Sequence, residues 1–123
     1  MSSLQKKETL LIVDDSKFQR VVIRQSLGEY FNFAEAVSGE ECLTIMEKES
    51  DAIDLVLLDP PFHYNTLNEV LPALADKVAP GGVVLAESER EAALSERAGA
   101  LVLAKQYYYG KIMVSRYEKE EQA

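Results

Sequence analysis

Three aspartates carry the first chemistry that this sequence offers. Asp14 and Asp15 follow the apolar run Leu10 to Val13, and Asp59 follows the apolar run Ile53 to Leu58. Carboxylates brought together repel one another unless protons or a cation neutralise them. A hard divalent cation such as Mg²⁺ suits that role, using a few carboxylates and keeping several waters. A carboxylate held in this way can also attack phosphorus and form an acyl phosphate. An Asp-Asp pair alone reads more simply as a cap and a turn residue. A third Asp at the end of an adjacent parallel strand shifts the balance. The expectation is an acidic metal pocket of Asp14, Asp15 and Asp59, with Asp59 as candidate phosphoacceptor.

Asp59 also opens a second group, Asp59-Pro60-Pro61-Phe62. Two prolines stiffen a loop that exposes backbone carbonyls beside an aromatic ring. Such a loop can accept hydrogen bonds from an exocyclic amine while the ring stacks on its base. The plainer reading is a stiff turn with Phe62 in the core. Ser88 and Lys105 are further candidates, each at the end of an expected strand. His63, the only histidine, has no partner for a nucleophilic relay. Tyr107-Tyr108-Tyr109 can stack on a ligand, or alternate across a strand end with one ring in the core. Cys42 reads as a small core residue.

These groups need a frame. Leu10 to Val13 reads as a buried strand, and Ser16 can cap a helix continued by Phe18, Val21 and Val22 at helical spacing. Gly28 marks its stop. Phe31 to Val37 is a second strand, and Ser38-Gly39-Glu40-Glu41 opens a helix through Met46. Ile53 to Leu58 is apolar almost throughout, which fits a parallel strand covered on both faces. Thr66 to Val78 has helical spacing around Pro72. Pro80-Gly81-Gly82 signals a turn, Val83 to Glu87 a fourth strand, and Glu89 to Arg97 a short helix. Leu101 to Lys105 and Ile112 to Tyr117 read as a hairpin turning at Gly110-Lys111. Alternating strands and helices imply a mostly parallel sheet with right-handed crossovers, and ligands bind beyond its carboxyl ends.

With 123 residues, 47% hydrophobic and 28% charged, the chain fits one ordered α/β domain, 1–123. Thirteen Lys and Arg against 21 Asp and Glu leave a net charge of −8. Such a chain repels nucleic acid unless a basic patch overrides the field. Along the sequence the densest cluster is Lys6-Lys7, which is no patch. No apolar stretch spans a membrane, no secretion signal is seen, and one cysteine forbids an internal disulfide. A cytoplasmic setting is expected.

Two resemblances follow from these motifs. Leu10 to Asp59, with its Asp-Asp, the "SGEE" helix opening and "DLVLLD", resembles the first half of bacterial response-regulator receiver domains. That implies phosphoryl transfer from a histidine kinase to Asp59, with Mg²⁺ held by Asp14 and Asp15. Asp54 to Tyr117, with "DLVLLDPPF", "LPALADKVAPGGVVLAESE" and "LVLAKQYYYGKIMVSRYE", resembles the second half of S-adenosylmethionine-dependent methyltransferases of the RsmD class. These act on guanine of ribosomal RNA. There Asp59, Pro60, Pro61 and Phe62 would hold the target amine. The glycine-rich turn that builds the donor site in that family has no counterpart here, since residues 1–27 lack glycine.

The combined expectation is a chimera, engineered or recombined, with a receiver-like half (1–58), a methyltransferase-like half (59–123) and a seam near 54–59. It would have no evolved catalytic activity, keep an acidic Mg²⁺ pocket, and not use S-adenosylmethionine. A receiver phosphorylated on Asp59 and an amine methyltransferase are the alternatives. The expected fold is a three-layer α/β/α sandwich. Its mostly parallel six-stranded sheet has the order 2-1-3-4-6-5, with the last strand antiparallel.

Overall fold

A computed structural model describes residues 7–48, 53–59 and 64–120, with the backbone alone at 64–66. The chain starts as the expected alternation: β1 (Glu8–Asp14), α1 (Lys17–Leu27), β2 (Phe31–Ala36), α2 (Gly39–Lys48), β3 (Ile53–Asp59) and α3 (Tyr64–Lys77). It continues with strands only: β4 (Val78–Glu89), β5 (Arg97–Ala98), β6 (Leu101–Tyr109) and β7 (Ile112–Lys119). The sheet order is β2-β1-β3-β4-β7-β6-β5. This is the expected mixed α/β sheet with one addition, the two-residue β5 at the outer edge. Strands β1 to β4 run parallel, and β7 inserts antiparallel between β4 and β6.

The hydrophobic pattern explains the layering. Leu10, Leu11, Ile12 and Val13 are all at most 1% exposed, because β1 is covered on both faces. On one face Leu11, Val13, Val56, Leu58, Val84, Ala86 and Tyr117 pack against Cys42 and Met46 of α2 and Leu67, Leu71 and Leu74 of α3. Cys42 is a core residue, as expected. On the other face α1 lies over the sheet. Ser16 caps it by accepting from the Gln19 amide at 3.2 Å. Yet α1 has no buried residue, and Phe18 is 73% exposed. Among the described residues, no helix is long and apolar enough to cross a membrane.

Two local expectations are corrected. Glu89 to Arg97 is not helical. Its backbone groups are taken by distant partners: the Arg90 amide donates to Lys111 carbonyl, and the Leu103 amide to Glu96 carbonyl. The Asn68 side chain of α3 donates to Ala93 carbonyl and accepts from the Ser95 amide, and the Tyr117 hydroxyl donates to Ser95 carbonyl. These bonds compete with the helical ladder and hold the segment over α3. Pro80-Gly81-Gly82 is not a free turn either. It lies inside β4, where four residues of β4 bulge against one of β3 between the pairs Ile53–Val78 and Leu55–Val83. Gly81 takes φ 80°, and Gly82 passes close to its neighbours.

A Cβ at Gly82 would lie 2.5 Å from Val78 Cγ1 and 2.8 Å from Ala79 carbonyl oxygen. Backbone cannot yield as a flexible side chain can. Gly82→Ala is expected to cost about 1–3 kcal/mol, the usual range for overpacking, read as a lower urea midpoint. A midpoint equal to wild type would show that the bulge is not tightly held.

Candidate functional site

The parallel register brings acids together at the carboxyl edge. Asp14 ends β1 opposite Asp59, which ends β3. Leu58 pairs with Ala86, so the next residue of β4, Glu87, stands beside Asp59. All three line a cleft of about 430 Å³ on the α1 face of the sheet. Its floor is Ile12, Leu57, Leu85 and Val114, and α1 contributes Gln19 and Ile23. That volume lies in the range of small-molecule sites.

The three acids are held differently. Asp14 is buried, and its Oδ1 accepts the Ser16 amide at 2.8 Å. Its carbonyl accepts from the Arg20 guanidinium at 2.6 Å, and Arg20 is fixed in turn by Glu35 at 3.0 Å. Asp59 has its pKa pushed up from 3.8 to about 7. Burial is the main cause, followed by a hydrogen bond and repulsion from Glu87, and then by the charges of Asp14 and Asp15. The favoured arrangement is a protonated Asp59 donating to the Glu87 carboxylate.

The sequence-derived site is therefore partly assembled and partly corrected. Asp14 and Asp59 meet, but Asp15 is exposed and is not among the residues that line the cleft. Glu87, at the end of β4, takes the third position, where the register of β3 and β4 sets it beside Asp59. Among the described residues no group of three His, Cys, Asp or Glu side chains is arranged to hold a metal ion. Asp14 Oδ1 is taken by the Ser16 amide, and Asp59 pairs with Glu87. Ser88 pairs with Met113 on the opposite face, and its hydroxyl donates to Glu89 carbonyl. Lys105 sits on β6, with β4 and β7 between it and β3. Pro60, Pro61, Phe62 and His63 lie outside the described residues.

The raised pKa of Asp59 fixes a sign. The folded state binds this proton more tightly than the unfolded chain between about pH 4 and pH 7, so stability from this group is lost as pH rises through that window. Asp59→Asn removes the dependence. The variant should gain on wild type in urea unfolding between pH 4 and pH 8, with the gap opening across the window. Equal differences at both pH values would show an ordinary carboxyl.

No curated protein sequence matches the chain. Solved structures share its fold. A conserved hypothetical protein of Streptococcus pyogenes aligns at TM-score 0.68 and 21% identity, over 97% of this chain and 76% of that one. The yhhF protein of Escherichia coli, described as a candidate methyltransferase, aligns at 0.64 and 22%, over 94% and 65%. The N-methyltransferase NodS of Bradyrhizobium japonicum aligns at 0.58 and 14%, over 98% and 89%. The chain thus spans just under two thirds of yhhF. One family model runs through both halves without a break at residues 54–59. That overturns the chimera and, with it, the receiver domain. The expectations of no catalytic activity and no S-adenosylmethionine are not upheld either, since yhhF and NodS, which share this fold, are described as methyltransferases. The chain belongs to the family described as Conserved hypothetical protein 95, whose model matches residues 4–118.

Proposed function

We propose that this chain is a methyltransferase domain that uses S-adenosylmethionine to methylate an exocyclic amine of a nucleobase. The observation that carries this is the place of the acidic cleft. It opens at the carboxyl ends of β1, β3 and β4, where open α/β sheets bind their ligands. Asp59, at its centre, is also the first residue of the Asp-Pro-Pro-Phe segment.

The residues present fit the cationic parts of the donor. Its sulfonium and ammonium groups suit Asp14, Asp59 and Glu87, and its adenine suits the apolar floor of Ile12, Leu57 and Leu85. The turn from β1 to α1 is made without glycine, and its Ser16 and Gln19 amides are taken by Asp14 and Ser16. Among the described residues no Lys or Arg lines the cleft, so the donor's carboxylate gains nothing from them inside and belongs at the mouth. When bound, the donor supplies a methyl group on positively charged sulfur. Asp59 and Glu87 accept hydrogen bonds from an amine N–H and orient its lone pair. Deprotonated above about pH 7, Asp59 can hold the proton that the amine gives up.

Calorimetry tests this directly. S-adenosylmethionine should bind, and more tightly than S-adenosylhomocysteine, whose sulfur is neutral. Its affinity should fall from pH 8 to pH 6 as Asp59 takes up its proton. Glu87→Gln should weaken donor binding about fivefold, the equivalent of about 1 kcal/mol for one lost charge pair. Absence of heat with the donor at pH 8 would end this proposal.

A further inference from the structure

The register that gathers the acids continues across the sheet. Glu87 pairs with Val114, and Val114 pairs with Tyr107, so one row reads Asp14, Asp59, Glu87, Val114, Tyr107. The row beside it reads Ile12, Leu57, Leu85, Arg116, Lys105. Acids lie at one end of this face, and two cations with an aromatic ring at the other.

A bulge creates the second end. Leu103 pairs with Tyr117 and Lys105 with Arg116, so Ala104 is an extra residue in β6. Without it, Lys105 and Tyr107 would point to the opposite face. With it, Lys105 is exposed directly opposite Arg116. Like charges opposed across a pair of strands destabilise it, and an anion between them removes that cost. Neither cation is fully neutralised. Lys105 Nζ lies 5.1 Å from the centre of the Tyr107 ring. Arg116 Nε lies 2.9 Å from a Glu118 carboxylate oxygen, but too poorly aligned for a hydrogen bond. Both side chains of that ion pair remain more than 40% exposed, so it is weak.

We infer that Lys105, Arg116 and Tyr107 form a second subsite that anchors single-stranded nucleic acid beside the cleft. The cations take a backbone phosphate and the Tyr107 ring takes a base. The inference rests on the methyl-transfer reading only for what enters the cleft. From β3 to β6 there are three strand spacings, about 14 Å in all. That is wider than a nucleobase, so this subsite serves a nucleotide flanking the one whose amine reaches Asp59. Stacking on an aromatic ring beside a phosphate-binding cation is the general mode for single strands. The local patch answers the objection from the net charge of −8, because an anion at Lys105 meets the nearest charges first.

The test is fluorescence anisotropy with a short fluorescein-labelled single-stranded RNA, on the whole chain, at two salt concentrations. Wild type should bind saturably, and more weakly at higher salt. Lys105→Gln and Arg116→Gln should each weaken binding and lower the slope of affinity against salt, and the double variant should lower it by about one. Tyr107→Ala should weaken binding about tenfold, while Tyr107→Phe keeps the ring and the affinity. Lys105 is exposed and faces another cation, so its variant should unfold in urea at the wild-type midpoint or above and serve as the folded control. No binding by wild type, or folded variants that bind like wild type, would overturn the subsite. Donor calorimetry separates the two proposals. Heat with the donor but no effect on RNA leaves methyl transfer standing and removes the subsite. The RNA pattern without donor binding does the reverse.

Discussion

The fold depends on one strand being covered on both faces. Leu10 to Val13 have almost no exposure, since α2 and α3 seal one side of β1 and α1 shields the other. A strand buried in this way can carry no charge along its length. Its first permitted charge is the residue that emerges at its end, and that is Asp14. In β3 the apolar run Leu55 to Leu58 likewise ends at Asp59, and in β4 the run Val83 to Ala86 ends at Glu87. The acids meet at one edge because the hydrophobic runs end in register.

That arrangement is costly, and the chain offsets it in two ways. Asp14 is stabilised by a backbone amide, and the positive end of α1 lies close by. Asp59 keeps a proton instead and shares it with Glu87. A cleft whose acids raise the proton affinity of one of their number is a cleft that favours cations. This is why the absence of glycine from the β1–α1 turn does not decide against a positively charged donor. The missing element concerns the donor's carboxylate, whereas the acids concern its sulfonium and ammonium.

Much of this was legible before any coordinates. Apolar runs placed β1 and β3, Ser16 placed the cap of α1, and the hairpin at Gly110 gave the antiparallel insertion of β7. Asp14 and Asp59 were identified from their positions at strand ends. What could not be read is whatever depends on register. Glu87 stands at the end of an expected strand, but its place directly beside Asp59 follows from the pairing of Leu58 with Ala86, which no periodicity reports. Residues 89–97 have helical composition, yet tertiary hydrogen bonds from Asn68 and Lys111 outbid the local preference. The resemblance to receiver domains came from residues 10–59 alone. Strand-end acids and an apolar β3 suit two doubly wound folds equally well, so that stretch could not choose between them.

The distribution of charge makes the same point about sequence and space. Lys105 and Arg116 are eleven residues apart and look like scattered surface cations. One extra residue in β6 sets them side by side and turns Tyr107 toward the cleft. Moving that bulge by one position would return Lys105 to the face where Gln106 now donates to Ser115. Sheets tolerate bulges mostly at edges and beside sites, where re-aiming a side chain outweighs the lost ladder bond. Net charge governs the far field of a protein, but a bound strand is sorted by the few ångströms nearest to it. On this face those ångströms change from acid to base across a single sheet.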